Sequence, residues 1–98
     1  MKTRFTPQAE ADIRDAHRWY REQAEGLAWE FRVALDVCVI RVERNPRAYS
    51  KVYGEFRRAL LRRFPYCMFF TLESSEVVVH GVFHGSRDPK VWESRYDA

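Results

Sequence analysis

The sequence predicts an α+β domain with the element order β-α-α-β-β-β, in which a helical hairpin packs on one face of a small, mostly antiparallel sheet. Two stretches in the first half repeat apolar residues at helical spacing. Three stretches in the second half are rich in β-branched and aromatic residues, which favours consecutive antiparallel strands. The chain has 98 residues, of which 46% are hydrophobic, so we expect a single domain over residues 1–98 with a thin core.

The first two elements are predicted from a short apolar segment and a capped helix. KTRF is a candidate edge strand, with Phe5 as its apolar anchor. Thr6 is a suitable helix cap, and Pro7 suits the first helical position. The helix is expected to end near Gln23, and its apolar residues recur at every third or fourth position, which makes one core-facing stripe. The stripe consists of Ala9, Ile13, Ala16 and Tyr20.

The second helix is predicted from Leu27 to Arg44, because Asn45 precedes a proline and leaves the helical region. It is apolar on two faces. The broad face consists of Leu27, Phe31, Ala34, Leu35, Cys38, Val39 and Val42. The second face consists of Trp29, Val33, Val37 and Ile40. A helix that only covers a sheet needs one apolar face, so the second face must meet either the first helix or a partner chain.

A loop is predicted for PRAYSKVYGEF, which Pro46 and Gly54 punctuate. Three strands are then expected, in RRALLRR, YCMFFTL and EVVVHGVFH, with ESSE as a tight hairpin loop before the third. Strict alternation along that third strand would place Val77, Val79, Gly81 and Phe83 on one face. The opposite face would carry Val78, His80, Val82 and His84. SRDP then reads as a turn that ends the strand.

Positive charge is concentrated in one region although the formal net charge is only +3. Eight basic residues lie between Arg41 and Arg63, and only Glu43 and Glu55 oppose them. We therefore expect a basic groove on the sheet face that carries no helices, which Arg87, Lys90 and Arg95 would extend. A simpler interpretation is that arginines flanking a short strand bury their stems and keep their charged ends in water.

Several classes of function are disfavoured by what the sequence contains. Cys38 and Cys67 lie among apolar residues and form no metal-binding pattern, so we expect buried thiols, no metal and no cofactor. The opening residues lack the apolar run of a signal peptide, and no segment reaches the length of a membrane span. A cytoplasmic protein without membrane contact is expected.

The order of four segments resembles the RelE/ParE superfamily, the toxins of type II toxin–antitoxin modules that are often carried on plasmids. The segments are TPQAEADIRDAHRWY, the long second helix, RRALLRRFPYCMFF and VVVHGVFHGSRDPKVWESR. The most specific parts are FPY at residues 64–66 and the pattern H-x-x-R-D-P-x-x-W-x-x-R at residues 84–95. This pattern is more similar to the ParE branch than to the RelE branch.

The resemblance implies the same β-α-α-β-β-β fold and a growth-arresting toxin that a cognate antitoxin neutralises. Such antitoxins typically lay an extended or helical segment across the toxin. An acidic and apolar segment would match the second face of the long helix, so Trp29, Val33, Val37 and Ile40 are the candidate antitoxin-binding residues.

The two branches of the superfamily act on different targets. ParE-like toxins bind and poison DNA gyrase, which implies a target-binding surface here. Its candidate residues are Arg57, Arg58, Arg62, Arg63, Arg87, Trp92 and Arg95. Trp92 has an alternative role as an anchor of the C-terminal tail on the core. RelE-like toxins instead cut messenger RNA in the ribosome. In that case Arg57, Arg63 and Arg87 would hold a phosphate and His84 would transfer a proton, whereas His80 is expected to be structural.

The resemblance favours the gyrase poison over the nuclease. RelE-like enzymes use lysines and a late tyrosine, or a Glu/His variant. The core strands here contain no lysine, and the one late tyrosine, Tyr96, lies beyond the expected last strand. A third possibility is a repurposed binding module that keeps the fold without either activity.

Overall fold

A computed structural model describes residues 1–98 as three α-helices and a five-stranded sheet. The elements are β1 (Lys2–Phe5), α1 (Pro7–Gln23), α2 (Leu27–Arg44), β2 (Lys51–Tyr53), β3 (Phe56–Leu60), β4 (Tyr66–Glu73), β5 (Glu76–His84) and α3 (Pro89–Asp97), with a short 3₁₀ helix at Pro46–Ala48. The strand order is β1-β5-β4-β3-β2. β1 pairs parallel with β5, and the other three pairings are antiparallel. The predicted α+β class and mostly antiparallel sheet are confirmed.

The helical hairpin has the predicted bounds. α1 starts at the predicted cap, where the Thr6 hydroxyl oxygen accepts a hydrogen bond from the Ala9 amide at 3.1 Å. Its four stripe residues are the buried ones, and α2 buries the broad apolar face. No helix of the molecule is both long enough and apolar enough to span a membrane.

The main core lies between this hairpin and the sheet. It includes Phe31, Leu35 and Cys38 from α2 and Met68 and Phe70 from β4, all at most 1% exposed. Burial of the Cys38 thiol raises its pKa to about 11, because a thiolate there would lose its hydration.

The FPY segment closes one end of the core. Phe64 makes edge-to-face contacts with Tyr20 and Phe31, at centroid distances of 5.0 and 5.5 Å. Tyr66 lies 5.3 Å from Phe31. These aromatic contacts fix where the hairpin meets the start of β4, so the most specific part of the central sequence pattern is structural.

The prediction that a single loop joins α2 to β3 is wrong in part. Residues Lys51–Tyr53 form β2, which pairs with β3 through Lys51↔Arg57 and Tyr53↔Phe56. Alternating polarity cannot reveal a three-residue edge strand, because the strand is shorter than the pattern that would identify it. The strand predicted for RRALLRR is also shorter than expected, and ends at Leu60.

The prediction that His80 and His84 share a face of β5 is wrong. The register shifts between the pairs Phe70↔Val79 and Phe69↔Gly81, so His80 is an extra residue in β5. Beyond this bulge Val82 joins Val77 and Val79 in the main core, and Phe83 lies on the opposite face. His80 packs 5.2 Å from Phe56 on that face, whereas His84 packs 5.4 Å from Tyr66 on the hairpin side.

The second face of the sheet is not free of helices, contrary to expectation. The turn at SRDP leads into α3, whose N-cap Asp88 accepts a hydrogen bond from the Lys90 amide at 2.9 Å. α3 covers a second apolar cluster of Phe56, Cys67, Phe69 and Phe83. Trp92 stacks on Phe69 at 4.9 Å, which places it on the core rather than free for a partner.

Candidate partner-binding surfaces

The second apolar face of α2 is exposed along its length. Trp29 is 71% exposed, Ile40 50%, Val33 42% and Val37 41%. α1 does not cover this face. Of the two interpretations that the sequence left open, packing against the first helix is therefore wrong, and contact with a partner chain is the one that would bury the face. Apolar side chains exposed in a continuous stripe are typical of a protein-binding site.

A shallow groove of about 170 Å³ runs beside this stripe. Val33, Val37 and Phe64 contribute apolar surface to it, and Arg41 and Arg62 contribute positive charge. Arg63 also lines the groove, and its guanidinium lies 3.1 Å from the Glu30 carboxylate. The groove thus combines an apolar floor with a basic rim, which suits a partner segment that is both apolar and acidic.

Four of the seven predicted target-binding residues are held by contacts within the molecule. Arg57 donates to the Tyr49 carbonyl at 2.7 Å, and Arg63 pairs with Glu30. Arg95 donates to both Asp12 carboxylate oxygens, at 3.1 and 3.3 Å. The fourth is Trp92, in its stack on Phe69.

The other three, Arg58, Arg62 and Arg87, are exposed, and none of them forms an ion pair within the chain. Arg58 shares its face of β3 with Leu60, a side chain that is 63% exposed. β2 pairs only with the first part of β3, so Leu60 lies at an uncovered edge. Sequence reasoning missed Leu60 as a surface residue. The only available signal was that Arg58 and Arg62 lie two residues before and after it, on the same face of the predicted strand.

The candidate nuclease residues do not converge on one point. His84 and Arg87 line a common cleft of about 230 Å³, together with Asp15, Trp19 and Tyr66. Arg57 lies level with Phe70, whereas His84 pairs with Tyr66. Four residues along the strands and two strand spacings across the sheet separate Arg57 from His84 by about 16 Å. The Arg57 guanidinium donates to the Tyr49 carbonyl at 2.7 Å and does not line the cleft that holds His84 and Arg87.

The surroundings of His84 also fix its tautomer. Its Nδ1 accepts a hydrogen bond from the Ser86 amide at 3.1 Å, so the proton of the neutral ring is on Nε2. The neighbouring Tyr66 hydroxyl has a raised pKa because it is partly buried, and the charge of Arg87 opposes that rise. The two carboxylates that line this cleft, Asp12 and Asp15, are paired with Arg95 and Arg18 at 3.1 and 3.5 Å.

A polar network that sequence reasoning missed lies on the α3 side of the sheet. The Thr71 hydroxyl donates to Glu73 at 2.9 Å and lies 2.8 Å from His80 Nε2. Burial lowers the pKa of His80, although the Glu73 carboxylate 3.7 Å away opposes this shift. The β4–β5 pairing brings these groups together, and the one sequence signal for the bulge that aims His80 toward them is the isolated glycine that follows it, Gly81.

Comparisons with known proteins agree with this fold. Residues 3–89 match the family model described as the ParE toxin of the type II toxin–antitoxin system parDE. The solved structure titled "Chromosomal ParDE TA system from P. aeruginosa" contains a chain that superimposes with a TM-score of 0.71 and 19% identity, over 86% of this chain and 95% of that one. No curated protein sequence matches the chain. The family model spans all five strands and both long helices, and the chain therefore belongs to the ParE family of type II toxins.

Proposed function

We propose that this toxin arrests growth by binding DNA gyrase, without catalysing a reaction, and that a cognate antitoxin neutralises it by covering the exposed apolar face of α2. The observation that carries the antitoxin part is the stripe of Trp29, Val33, Val37 and Ile40, which no element of the chain covers. A parDE family context supports an antitoxin partner.

The antitoxin segment is expected to be amphipathic and acidic. Its apolar side chains would occupy the α2 stripe and the adjacent groove, where burial removes large side chains such as Trp29 from water. Its carboxylates would reach Arg41 and Arg62 at the rim. The antitoxin would then offset the charge of the most basic region of the chain.

Gyrase binding is favoured over RNA cleavage by the arrangement of the charged residues. Arg57 does not line the cleft that holds His84 and Arg87, which leaves the candidate nuclease with one of its predicted phosphate-binding arginines missing. Arg58, Arg62 and Arg87 are exposed and free to contact a macromolecule, and Leu60 adds an apolar contact beside Arg58. We assign target contact to these residues rather than to Arg57, Trp92 and Arg95, which are held internally, and Arg63 can join them because its pair with Glu30 is exposed.

A supercoiling assay with purified gyrase tests the target. We expect the toxin to inhibit supercoiling or to accumulate cleaved DNA, and the Arg58→Ala/Arg62→Ala variant to lose at least tenfold in potency. The Arg44→Ala/Arg47→Ala variant removes the same charge from exposed positions and should keep full potency. Unaffected gyrase at saturating toxin, or cut messages in a translation reaction that disappear in His84→Ala/Arg87→Ala, would contradict the proposal.

The antitoxin surface is tested separately. The cognate antitoxin should bind the wild-type toxin and restore gyrase activity. A carboxylate introduced at Val37 faces an acidic partner and an apolar environment, so Val37→Glu should weaken antitoxin binding at least tenfold while leaving gyrase inhibition intact. Gln8→Glu, which adds one negative charge at an exposed position of α1, is the control. Equal binding by Val37→Glu and wild type would place the antitoxin elsewhere.

A further inference from the structure

A basic groove on the outer side of the helical hairpin lies apart from both surfaces described above. It has a volume of about 260 Å³ and is lined by six residues: Ile13, Arg14, His17, Arg18, Arg21 and Arg32. The groove thus contains four arginines, one histidine and a single apolar side chain. Five of the six residues come from α1, and Arg32 comes from α2 across the groove.

The helical repeat explains why the α1 arginines form a row. Arg14, Arg18 and Arg21 are four and three residues apart, so they lie on one side of α1 over about 10 Å of its axis. All three are exposed, and Arg14 and Arg21 form no ion pair. Arg18 and Arg32 pair with Asp15 and Asp36 at 3.5 and 3.2 Å. Those pairs are more than half exposed on both sides, so an arriving anion displaces them at little cost.

We propose that this groove binds the phosphate backbone of duplex DNA. A row of guanidinium groups is suited to phosphodiesters, each of which accepts a planar pair of N–H donors. Only one of the six lining side chains, Ile13, is apolar, whereas four are arginines, so the groove suits a polyanion better than the amphipathic protein segment that fits the α2 stripe. It has no Phe, Tyr or Trp side chain, and His17 is the one ring on which a base of a single strand would stack. A lining dominated by charge favours a duplex that is read through its backbone.

The proposal does not depend on the identity of the toxin's target, because it concerns the isolated protein and DNA. The groove is formed by the outer sides of α1 and α2, and none of its six residues belongs to the stripe, to the candidate target contacts or to the cleft at His84. The interaction would be weak and independent of sequence, with a Kd of roughly 10⁻⁴ to 10⁻⁶ M at physiological salt.

Fluorescence anisotropy with a labelled 20-base-pair duplex tests the proposal. Neutralising three to four phosphates gives a slope of log K against log salt of about −3. Arg14→Ala/Arg21→Ala removes two contacts, so the slope should fall to about −1 and the affinity in low salt at least tenfold. Alanine is the best helix former, and both positions are exposed, so this variant should fold, which circular dichroism checks.

The control variant Arg44→Ala/Arg47→Ala removes the same charge from the basic region at residues 41–63. It should keep the wild-type slope. Equal losses in the two variants would show that binding follows net charge rather than the groove, and would overturn the proposal. Tighter binding of a single strand or of an RNA duplex, or displacement of DNA by a poly-glutamate peptide at equal charge concentration, would overturn it as well.

Discussion

At the scale of single residues, Arg95 connects more of the molecule than any other side chain of α3. Its guanidinium pairs with Asp12 on α1 and donates to the His80 carbonyl in β5 at 2.7 Å. It also lies 4.7 Å from the centre of the Phe83 ring. The pair with Asp12 is mostly buried, with side chains 23% and 16% exposed. A residue that the sequence marked as a target contact is therefore a structural link between α1, β5 and α3.

We predict that Arg95→Ala lowers the free energy of unfolding by about 2 kcal/mol, because it leaves the Asp12 carboxylate without its charged partner in a mostly buried position. Arg4→Ala is the matched control, since Arg4 pairs with Glu76 at 3.5 Å near the surface. It should cost less than about 0.5 kcal/mol. Urea denaturation measures both. Equal costs would mean that the Asp12 contact adds nothing beyond a surface pair.

His80 gives the molecule a pH dependence of known sign. Burial lowers its pKa in the folded state, so the unfolded chain takes up the proton first as the pH falls through about 6.5. The free energy of unfolding should therefore decrease from pH 7.5 to pH 5.5. His80→Gln cannot titrate and keeps a polar contact to Thr71, so its decrease should be smaller over the same range. Urea titrations of both proteins at each pH test this, and parallel curves would exclude His80 as the cause.

At the scale of elements, α3 is held against the sheet by aromatic contacts that depend on a glycine. Tyr96 packs 4.8 Å from Phe56, and its hydroxyl accepts a hydrogen bond from the Glu55 amide at 3.1 Å. Gly54 has a φ of +55°, and a methyl group there would overlap the Tyr96 ring. The turn between β2 and β3 thus needs glycine both for its backbone and for the close approach of α3.

We predict that Gly54→Ala costs about 1–3 kcal/mol more than Gly26→Ala, measured by urea denaturation. Gly26 also has a positive φ, of +82°, but a methyl group there would meet nothing within 4 Å. Gly26→Ala therefore reports backbone strain alone, whereas Gly54→Ala adds the clash with Tyr96. The near-ultraviolet circular dichroism of the aromatic cluster should change only in Gly54→Ala. Equal costs would show that α3 moves aside freely.

The long elements were predictable from the sequence, and the short ones were not. Helical spacing and capping residues gave the bounds of α1 and α2, since many residues repeat the same pattern. β2 has three residues and α3 nine, and neither has enough repeats to be recognised. The candidate antitoxin surface was predictable because a second apolar face on one helix is a local property. The positions of the arginines depended on α3 and on the bulge at His80, which are set by tertiary contacts.

At the scale of the whole molecule, the exposed stripe of α2 leaves large apolar side chains in contact with water in the free toxin. Trp29 is 71% exposed and Ile40 50%, so two toxin molecules gain by burying these side chains against one another. We predict that the free toxin self-associates as its concentration rises, and that Trp29→Ser/Ile40→Ser stays monomeric in analytical ultracentrifugation. Leu60→Ser, which removes exposed apolar surface outside the stripe, is the control. A monomeric wild type at high concentration would contradict the prediction.

The parallel pairing of β1 with β5 has a consequence for how the chain folds while it is being synthesised. Lys2 pairs with Glu76 and Phe5 with Val79, so β1 can form its pairing only after β5, the last strand along the chain, has been synthesised. The hairpin that emerges in between can meet β2, β3 and β4 earlier, but it lacks the strand between β1 and β4 until then, and Val77, Val79 and Val82 of that strand supply part of its core. The core between the hairpin and the sheet is therefore complete only once β5 has been translated, and we expect products that end before β5 not to fold stably.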